Sequence, residues 1–457
     1  MEGEELIKGF NELEEEKNNH KPIEQSKVPK IVIAILSCII AILIIIIIIL
    51  STKINKDKNN DNKNDNKNDN KNDNKNDNKK EDQMDYQDYQ EYLESLMTPL
   101  REILSGNIIY NLTYGEEGIE NTFKEGGKNY RKEIGPINGN NDYISNPVFN
   151  MYDLYIPNSA FKTLKAKGII LFIHGGAWVV GRRQDIFFLP QLYFEHEYII
   201  ANMDYTLLNM TNFTIYRILD DVTACIKNIV KTLKSKGFNE KELQLAIGGV
   251  SAGAHIALLY SYLVKEPPLE IKFIIDIIGP VTLNPDDFYS IYKDEDTLPN
   301  LDPTTVNEAL KNNKYNKTIL PDNFTLLFLN SFIGKEYSQE ELDEMLDNSG
   351  QINKTNEKYI ALYEKAKYGF VTTWIKEKKI PILAFYGGKD QLIGFPHYAR
   401  LKEADDSRHD IIYKNNIQLV YARYQSHSFI DFNHTENIEA AKDLHYYILK
   451  FCEDYFE

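Results

Sequence analysis

Residues 243–255 read LQLAIGGVSAGAH, and this stretch decides the fold. Its first half is a short apolar run of the kind that forms a buried strand, and its second half begins a helix. Between them Gly249, Ser251 and Gly253 form a G-x-S-x-G pattern, whose small residues permit a sharp turn from strand to helix. Such a turn exposes the Ser251 hydroxyl at the positive end of the helix. Alone the pattern is weak, because a glycine-rich helix start without any chemistry reads the same way.

The surrounding sequence repeats this alternation of strand and helix. Other apolar runs have the length of buried strands, and longer segments between them have helical periodicity. Continuous apolar strands alternating with helices predict a mainly parallel sheet with helices on both faces. The predicted strands are 149–156, 168–173, 198–203, 243–248, 272–278, 381–386 and 417–422, and the predicted helices are 84–104, 215–235, 252–264 and 436–452.

One interval between two predicted strands does not follow this alternation. Residues 284–375 hold no strong strand pattern and several amphipathic helical stretches. An interval of this length is too long for a simple connecting loop. We therefore expect a helical cap, inserted at about 284–375 into a body that occupies residues 83–457.

A second motif, HGGAW at 174–178, directly follows the predicted strand GIILFI. Two adjacent glycines let the backbone turn so that amide groups face a pocket. We expect the N–H groups of Gly175, Gly176 and Ala252 to form an oxyanion hole, in which one donor is typically worth ~3–4 kcal/mol in a transition state. A plain Gly-Gly loop is the alternative, which the flanking histidine and tryptophan disfavour. We interpret the histidine as fixing this loop rather than as transferring protons.

A serine nucleophile also requires a base within hydrogen-bond reach and an acid that orients the base. Asp390 ends FYGGKD after one predicted strand, and His427 lies in YQSHSF after the next. The carboxyl ends of parallel strands meet at one edge of a sheet, so we expect Ser251, Asp390 and His427 to converge there. Among the nine histidines, His434 is the other serious candidate for the base, but its Asn-His-Thr context is typical of a helix cap. For Asp390 the alternative is an ordinary polar turn residue.

The motifs HGGAW, MDYTLL, GVSAGAH, FYGGKD and YQSHSF, in this order, resemble the α/β-hydrolase superfamily, in particular its carboxylesterase and hormone-sensitive-lipase-like branch. The resemblance covers roughly residues 145–283 and 380–455. It implies an α/β-hydrolase fold and hydrolysis of carboxylic esters through a Ser-His-Asp triad and an acyl-enzyme. It implies a small-molecule ester as substrate, and neither a cofactor nor a metal. Asp204 in MDYTLL and Asp221 in LDDV are interpreted as loop and helix-surface residues that brace the site.

The chain departs from that branch at two motifs. DYTLLNM stands where the branch usually shows DYRLAPE, and GVSAGA stands where it often shows GDSAGG. The HGGAW and SAGAH variants are also similar to isoprenylcysteine methylesterases and kynurenine formamidases. A methylesterase or formamidase-like hydrolase of a lipidated or small amide substrate is therefore one alternative function. A non-catalytic, membrane-tethered binding module on the same fold is another, although such proteins usually lose a triad member.

The segment before the body predicts a membrane anchor. Residues 31–50, IVIAILSCIIAILIIIIIIL, carry no charge, proline or glycine. At about 1.5 Å rise per residue they span about 30 Å, the thickness of the hydrocarbon core. We expect a single transmembrane signal anchor, and thus a lipid bilayer as partner, between a tail at 1–30 and a stalk at 51–82. The stalk repeats Asp-Asn-Lys-Asn and has no apolar face to bury, so we expect it to be disordered.

The orientation of this anchor follows from the glycosylation motifs rather than from charge. Lysines flank the segment on both sides, so the positive-inside rule does not decide. The N-x-S/T motifs all follow the anchor, which favours a glycoprotein with a lumenal or extracellular body and a cytosolic tail. The motifs begin at Asn111, Asn209, Asn212, Asn316, Asn323, Asn353 and Asn433.

Charge and cysteine content exclude other classes of protein. The net charge of −16 argues against binding of a nucleic-acid backbone, which requires clustered lysine and arginine. Cys38, Cys225 and Cys452 are too few for a disulfide scaffold, and no Cys/His cluster indicates zinc. We expect Cys225 and Cys452 to be free buried thiols, with a bridge between them as the alternative.

Overall fold

The computed structural model describes residues between 108 and 456, with gaps. The predicted tail, membrane segment and stalk, and the helix predicted at 84–104, lie outside the described residues. Among the helices that the structure does describe, none combines the length and the apolarity needed to cross a bilayer. The described residues are 108–114, 151–186, 196–208, 214–292, 306, 308, 311–312, 315–317, 322–407, 416–422, 425, 427 and 435–456.

Eight strands form one sheet in the order β1-β2-β4-β3-β5-β6-β9-β10. β2 pairs antiparallel with β1 and β4, and the other neighbouring pairs are parallel. This mixed, mostly parallel sheet confirms the predicted α/β-hydrolase fold. The strands are β1 Ile108–Thr113, β2 Met151–Tyr155, β3 Ile169–Ile173, β4 Ile199–Met203, β5 Leu245–Val250, β6 Ile271–Ile277, β7 Tyr289–Tyr292, β8 Tyr315–Lys317, β9 Ile382–Gly387 and β10 Ile417–Ala422.

The helices that alternate with these strands have local start and stop signals. The Thr214 side chain accepts a hydrogen bond from the Tyr216 N–H at 3.2 Å and thereby caps the helix α2. Gly237, with φ of 98°, follows the end of that helix. The helices are α1 Asn158–Thr163, α2 Ile215–Ser235, α3 Ala252–Leu263, α4 Asp322–Phe332, α5 Gln339–Asp343, α6 Glu357–Ala366, α7 Val371–Trp374, α8 Phe395–Asp406 and α9 Thr435–Tyr455.

The core lies on both faces of the sheet. Alternate side chains of β3 enter two different apolar clusters: Ile169, Leu171 and Ile173 the first, Ile170 and Phe172 the second. Helices α2 and α3 contribute to the first cluster and α9 to the second. Each such side chain, when fully buried, stabilises the fold by about 1.5–3 kcal/mol relative to exposure. Burial on both faces explains why the strands are continuous apolar runs in the sequence.

The long insertion connects two strands that lie side by side. β6 and β9 pair directly, with Ile274 opposite Ile382, although about a hundred residues separate them in the sequence. The insertion contains helices α4 to α7, as its periodicity suggests. It also contains the antiparallel ribbon β7–β8, where no strand is expected. These strands have four and three residues, too few to produce a recognisable apolar run.

The two described cysteines are not bridged. Cys225 on α2 and Cys452 on α9 are buried free thiols, as expected. They belong to the two different apolar clusters, so the sheet separates them. Burial raises the pKa of both thiols, which makes them packing residues rather than reactive ones.

Candidate active site

Ser251 stands at the sharp turn between β5 and α3, here called the serine turn (residues 249–253). Its φ of 55° and ψ of −120° lie outside the regions that a serine normally adopts, so surrounding structure must enforce them. Two glycines make the turn sterically possible. A Cβ on Gly249 would lie 2.5 Å from the carbonyl carbon of Gly253, and one on Gly253 would lie 2.1 Å from the Ile173 oxygen. The G-x-S-x-G spacing is thus a packing requirement of this turn.

Asp390 follows β9 and is fully buried. Its Oδ1 accepts hydrogen bonds from the backbone N–H groups of Leu392 at 2.8 Å and Ile393 at 2.9 Å. Two fixed backbone donors hold the carboxylate in one orientation and compensate part of its lost hydration. The second oxygen, Oδ2, remains directed at another side chain.

That side chain is His427, which follows β10. Its Nδ1 lies 2.9 Å from Asp390 Oδ2, and its Nε2 lies 3.1 Å from Ser251 Oγ. A carboxylate can only accept, so the proton of the neutral ring lies on Nδ1 and Nε2 presents a lone pair to the serine hydroxyl. The ring is one-quarter exposed whereas the carboxylate is fully buried. The three side chains expected to converge at the carboxyl edge of the sheet therefore lie together, with His427 in contact with both of the others.

Three other histidines of the described residues do not contact Ser251 Oγ. His174, His255 and His397 are buried, and burial lowers the pKa of each to about 4, so they are neutral at neutral pH. Among the described residues, His427 is the histidine within hydrogen-bond distance of Ser251 Oγ. The competing candidate His434 lies outside the described part of the chain.

Two of the three donors predicted for the oxyanion hole, Gly175 and Gly176, lie in the segment 174–181, here called the glycine loop. A Cβ on Gly175 would lie 2.9 Å from the Val250 oxygen and 3.3 Å from Ser251 Cβ, so this loop lies directly against the serine turn. Gly176 has φ of 107°, and a Cβ there would lie 2.0 Å from the Val180 oxygen. Within the described part of the chain, no group accepts a hydrogen bond from the N–H of Gly175, Gly176 or Ala252. These donors are available to a ligand oxygen.

Side-chain contacts hold the glycine loop in a strained conformation. Ala177 and Trp178 both have positive φ, 50° and 62°, which is unfavourable for residues with a Cβ. The His174 ring donates from Nδ1 to the Gly175 carbonyl at 2.7 Å and stacks on Tyr205 with ring centroids 4.2 Å apart. This geometry agrees with the interpretation that His174 fixes the loop.

A buried ion cluster fixes the chain immediately after the glycine loop. Arg183, 5% exposed, has its Nε 3.0 Å from Asp153 on β2, and its guanidinium also contacts Asp204 after β4. The Arg183 backbone N–H donates to Asp204 Oδ1 at 2.7 Å. Burial raises the pKa of Asp204, and the arginine opposes this effect. Asp204 thus braces the site as expected, and Arg183 is a bracing residue that the motifs did not reveal.

Asp221 differs from expectation, because it is not on a helix surface. It is fully buried on α2, pairs with Arg217 at 3.3 Å and accepts a hydrogen bond from the Thr206 N–H at 2.7 Å. The i,i+4 pair with arginine compensates the buried charge. The carboxylate therefore braces the loop after β4 from within the core.

The insertion packs directly on the site elements. The Trp178 ring, 4% exposed, makes edge contacts with Phe328 and Phe332 of α4 at centroid distances of 5.6 and 5.0 Å. His255, one turn after Ser251 on α3, lies with Nε2 2.8 Å from the Gly369 carbonyl oxygen. These contacts show that Trp178 packs between the glycine loop and α4. Among the described residues no group of three or more His, Cys, Asp or Glu side chains could hold a metal ion.

Curated proteins that are similar to this chain include isoprenylcysteine methylesterases, each matched over a short segment. The chain is similar to the isoprenylcysteine alpha-carbonyl methylesterase ICME of Oryza sativa subsp. japonica, described as probable, with 32% identity over 108 residues, 24% of each chain. It is 31% identical over 108 residues to ICME of Arabidopsis thaliana, again 24% of each chain. The chain therefore matches about a quarter of the length of these curated relatives.

Solved structures and one family model complete the comparison. A truncated carbohydrate esterase from gut microbiota has 12% identity and a TM-score of 0.44, covering 76% of this chain and 97% of that one. The esterase of Pyrobaculum calidifontis, in its monoclinic form, has 13% identity and a TM-score of 0.43, covering 82% and 94%. The fold assignment therefore rests on the strand order. The model of the BD-FAE family matches residues 152–404, more than half of the chain, and the chain belongs to this family of the α/β-hydrolase superfamily.

Proposed function

We propose that this esterase-like α/β-hydrolase cleaves carboxylic esters by nucleophilic catalysis from Ser251. The observation that carries the proposal is the continuous contact from Asp390 through His427 to Ser251 Oγ, at 2.9 and 3.1 Å. Nucleophile, base and orienting acid each follow a different strand, at the one edge where unpaired N–H groups of the glycine loop also lie. Such a set of groups is suited to acyl transfer.

In the proposed reaction, His427 Nε2 takes the proton of Ser251 as Oγ attacks the ester carbonyl. The carbonyl oxygen becomes an oxyanion and accepts hydrogen bonds from the N–H groups of Gly175, Gly176 and Ala252. Asp390 stabilises the imidazolium that forms. His427 then gives the proton to the leaving alcohol, and the C–O bond to that alcohol breaks, which leaves an acyl-enzyme.

Water completes the cycle by the same route. The one-quarter exposed ring of His427 is accessible to a water molecule once the alcohol has left. The ring removes a proton from that water, whose oxygen attacks the acyl carbon of Ser251. Collapse of the second oxyanion releases the carboxylic acid and returns the proton to Oγ.

Labelling with a fluorophosphonate probe tests the nucleophile. The wild-type chain should be labelled and Ser251→Ala should not. Ser261→Ala is the matched control, because Ser261 lies on the same helix but is buried and donates to the Ala257 carbonyl at 2.7 Å. This control should be labelled like the wild type. Labelling retained in Ser251→Ala would mean that another residue is the nucleophile, and an unlabelled wild type would favour a non-catalytic binding module.

A methylesterase acting on a lipidated cysteine is the second candidate, supported by the similarity to the ICME proteins over 108 residues. Both candidates form an acyl-enzyme. They differ in whether the acyl part or the alcohol part of the ester is the larger. A panel should compare a prenylcysteine methyl ester, short acyl esters of a chromogenic alcohol and a small aryl formamide. A kcat/KM highest for the methyl ester would establish the second candidate, and one highest for the formamide would establish an amidase.

We also propose that residues 31–50 anchor the chain in a membrane with its body on the lumenal or extracellular side. The asparagines of the motifs at Asn323 and Asn353 are both exposed, as this location requires. The full chain should resist alkaline carbonate extraction, and glycosidase should increase its gel mobility. Asn353→Gln should remove part of that shift. A wild-type protein without any shift would argue for the opposite orientation.

A further inference from the structure

A carboxyl group that the proposed mechanism does not use is buried beneath the serine turn. Asp276 lies on β6, and Tyr386 lies beside it on β9; both side chains are fully buried. The groups that influence the Asp276 carboxyl are Tyr386 and the Gly279 N–H, and no cation of the described residues is among them. An ionised carboxylate in such surroundings is costly, because burial removes its hydration and nothing neutralises its charge.

Three short contacts connect these groups. The Gly279 N–H donates to Asp276 Oδ1 at 2.8 Å. The Tyr386 hydroxyl oxygen lies 2.7 Å from the Gly279 carbonyl oxygen and 3.0 Å from Asp276 Oδ2. Both oxygen–oxygen distances are within hydrogen-bond range, although the tyrosine hydroxyl has a single proton. Together the contacts form a closed ring of residues 276, 279 and 386.

Counting protons identifies the state of the carboxyl group. The Tyr386 hydroxyl has one proton, and the Gly279 carbonyl has none to give, so the shorter contact uses the tyrosine proton. The contact with Asp276 Oδ2 then needs a proton from the carboxyl group itself. With an ionised carboxylate, the single tyrosine proton would have to be shared between two acceptors, which weakens both hydrogen bonds. A protonated Asp276 satisfies every donor and acceptor of the ring.

We propose that Asp276 is protonated in the folded protein and that its neutral hydrogen-bonded ring with Tyr386 and Gly279 positions the serine turn. The connection is short, because the Ser251 N–H donates to the Ile277 carbonyl at 2.8 Å. The positioning part of this proposal rests on the proposed function, whereas the protonation part does not. Asp276 and Tyr386 are thus positioning residues that act through the backbone.

The ring encloses a strained residue. Ile278 has φ of 50°, a left-handed conformation that is especially unfavourable for a β-branched side chain. Its N–H donates to the Phe385 carbonyl at 2.9 Å. Gly279 itself packs on α3, since a Cβ there would lie 2.8 Å from the Ala254 Cβ. The hydrogen bond from Ile278 and those of the ring fix the backbone around Ile277. They thereby hold the Ile277 carbonyl in the position at which it accepts from the Ser251 N–H.

The surroundings of Asp276 favour its neutral form. On β5 it faces Gly249, which has no side chain. Of the groups on α3 and α8, His255 and His397 are neutral, with pKa values lowered to about 4 by burial, and Tyr398 is a neutral phenol. The cation on α8, Arg400, pairs with Asp287 and Glu403. Helix α9 packs on the other face of the sheet. Burial accordingly raises the pKa of Asp276 to about 7.

Three variants of the full-length chain test the positioning role. Asp276→Asn imitates the protonated acid, because its NH₂ can donate to the tyrosine oxygen and its carbonyl can accept from Gly279. It should be labelled by fluorophosphonate within about twofold of the wild-type rate. Tyr386→Phe and Asp276→Leu break the ring and should reduce the labelling rate and kcat by about tenfold, with KM unchanged. If Asp276→Leu does not fold, the labelling rates of Asp276→Asn and Tyr386→Phe still test the positioning role.

A comparison of unfolding at different pH values tests the protonation. A carboxyl group with a raised pKa in the folded state keeps its proton where the unfolded chain has lost it, so its stabilisation decreases as pH rises. The free energy of unfolding of the wild type, relative to Asp276→Asn, should therefore fall between about pH 4 and about pH 7. A difference that is constant or rises with pH would show an ionised Asp276 and overturn the proposal.

The two measurements separate failure of this proposal from failure of the proposed function. If the wild type is not labelled at all, the nucleophile assignment is wrong, but the unfolding comparison still decides whether Asp276 is protonated. If the wild type is labelled and Asp276→Asn loses labelling as severely as Tyr386→Phe, the neutral ring is wrong while the proposed function stands.

Discussion

The substitution Asp390→Asn tests how the base is held. Asp390 Oδ1 accepts from the N–H groups of Leu392 and Ile393 at 2.8 and 2.9 Å. An asparagine keeps both bonds only if its carbonyl oxygen occupies the Oδ1 position, which directs its NH₂ at His427 Nδ1, 2.9 Å from Oδ2 in the wild type. The imidazole must then accept at Nδ1 and carry its proton on Nε2. That proton would point at Ser251 Oγ, 3.1 Å away.

The size of the expected effect follows from this reversal of the tautomer. A ring protonated on Nε2 cannot accept the serine proton, although the positions of the heavy atoms hardly change. The loss expected in kcat is on the order of 10⁴-fold, about 5.5 kcal/mol in the activation free energy. The stability should change far less, because the asparagine has the same shape as Asp390 and keeps both backbone hydrogen bonds.

Steady-state hydrolysis of a short chromogenic ester measures this effect, with thermal unfolding as the test of folding. Asp406→Asn is a matched control, because it makes the same carboxyl-to-amide change at an exposed residue that pairs with Lys402. The control should keep wild-type kcat. An Asp390→Asn protein that folds and hydrolyses the ester within tenfold of the wild type would refute the assigned tautomer and the role of Asp390.

Two further predictions concern stability. Gly253→Ala should destabilise the fold by more than about 3 kcal/mol, because the new Cβ would lie 2.1 Å from the carbonyl oxygen that ends β3. Gly350→Ala, with φ of 78° in open space, should cost only about 1 kcal/mol, and equal losses in urea unfolding would contradict this reasoning. Arg183→Met should destabilise by about 3–5 kcal/mol at neutral pH, because Asp153 and Asp204 stay buried without a cation. The loss should shrink at acidic pH, because the Asp204 carboxyl, whose pKa burial raises, then binds a proton, and a loss independent of pH would contradict this reasoning.

The strands of the sheet were predictable because their environment is uniform. A strand buried on both faces must be apolar throughout, so its sequence shows both its position and its length. The predicted strand 168–173 corresponds to Ile169–Ile173, and 198–203 corresponds to Ile199–Met203. By contrast, β1, Ile108–Thr113, lies at the antiparallel edge of the sheet and reads IIYNLT. An edge strand of mixed polarity produces no continuous apolar run, so the sequence did not reveal it.

Helix α8 was missed for a different reason. Its sequence, FPHYARLKEADD, begins beside a proline and is only weakly amphipathic. Proline is well tolerated in the first turn of a helix, where its missing N–H would have no partner within the helix. Phe395, His397, Tyr398 and Leu401 are nonetheless buried, because the helix packs between the sheet and the insertion. Because the helix is buried on two sides, its sequence lacks the single apolar face by which an amphipathic helix is recognised.

The positions of the candidate site residues could be predicted because each directly follows a strand. Ser251, Asp390 and His427 are local features of three different turns, and parallel pairing brings these turns to one edge of the sheet. Their catalytic roles stay a prediction that labelling and Asp390→Asn test. The residues that hold the turns are different, because their partners lie far away in the sequence. Arg183 contacts Asp153 and Asp204, and none of the three belongs to a motif that specifies this contact.

The position of Asp276 within an apolar strand is unusual, and hydrophobic periodicity alone does not explain it. β6 reads IKFIIDI, and a lone carboxyl group in an otherwise buried strand conflicts with the apolar pattern around it. A buried carboxyl without a cation persists only if it is protonated or if its charge is used in catalysis. The structure favours the first explanation, since Tyr386 and Gly279 supply a complete set of partners for the neutral acid. The conflict arises next to Ser251 and Ile278, where the backbone is strained, because holding an unfavourable turn requires directional bonds that apolar packing cannot provide.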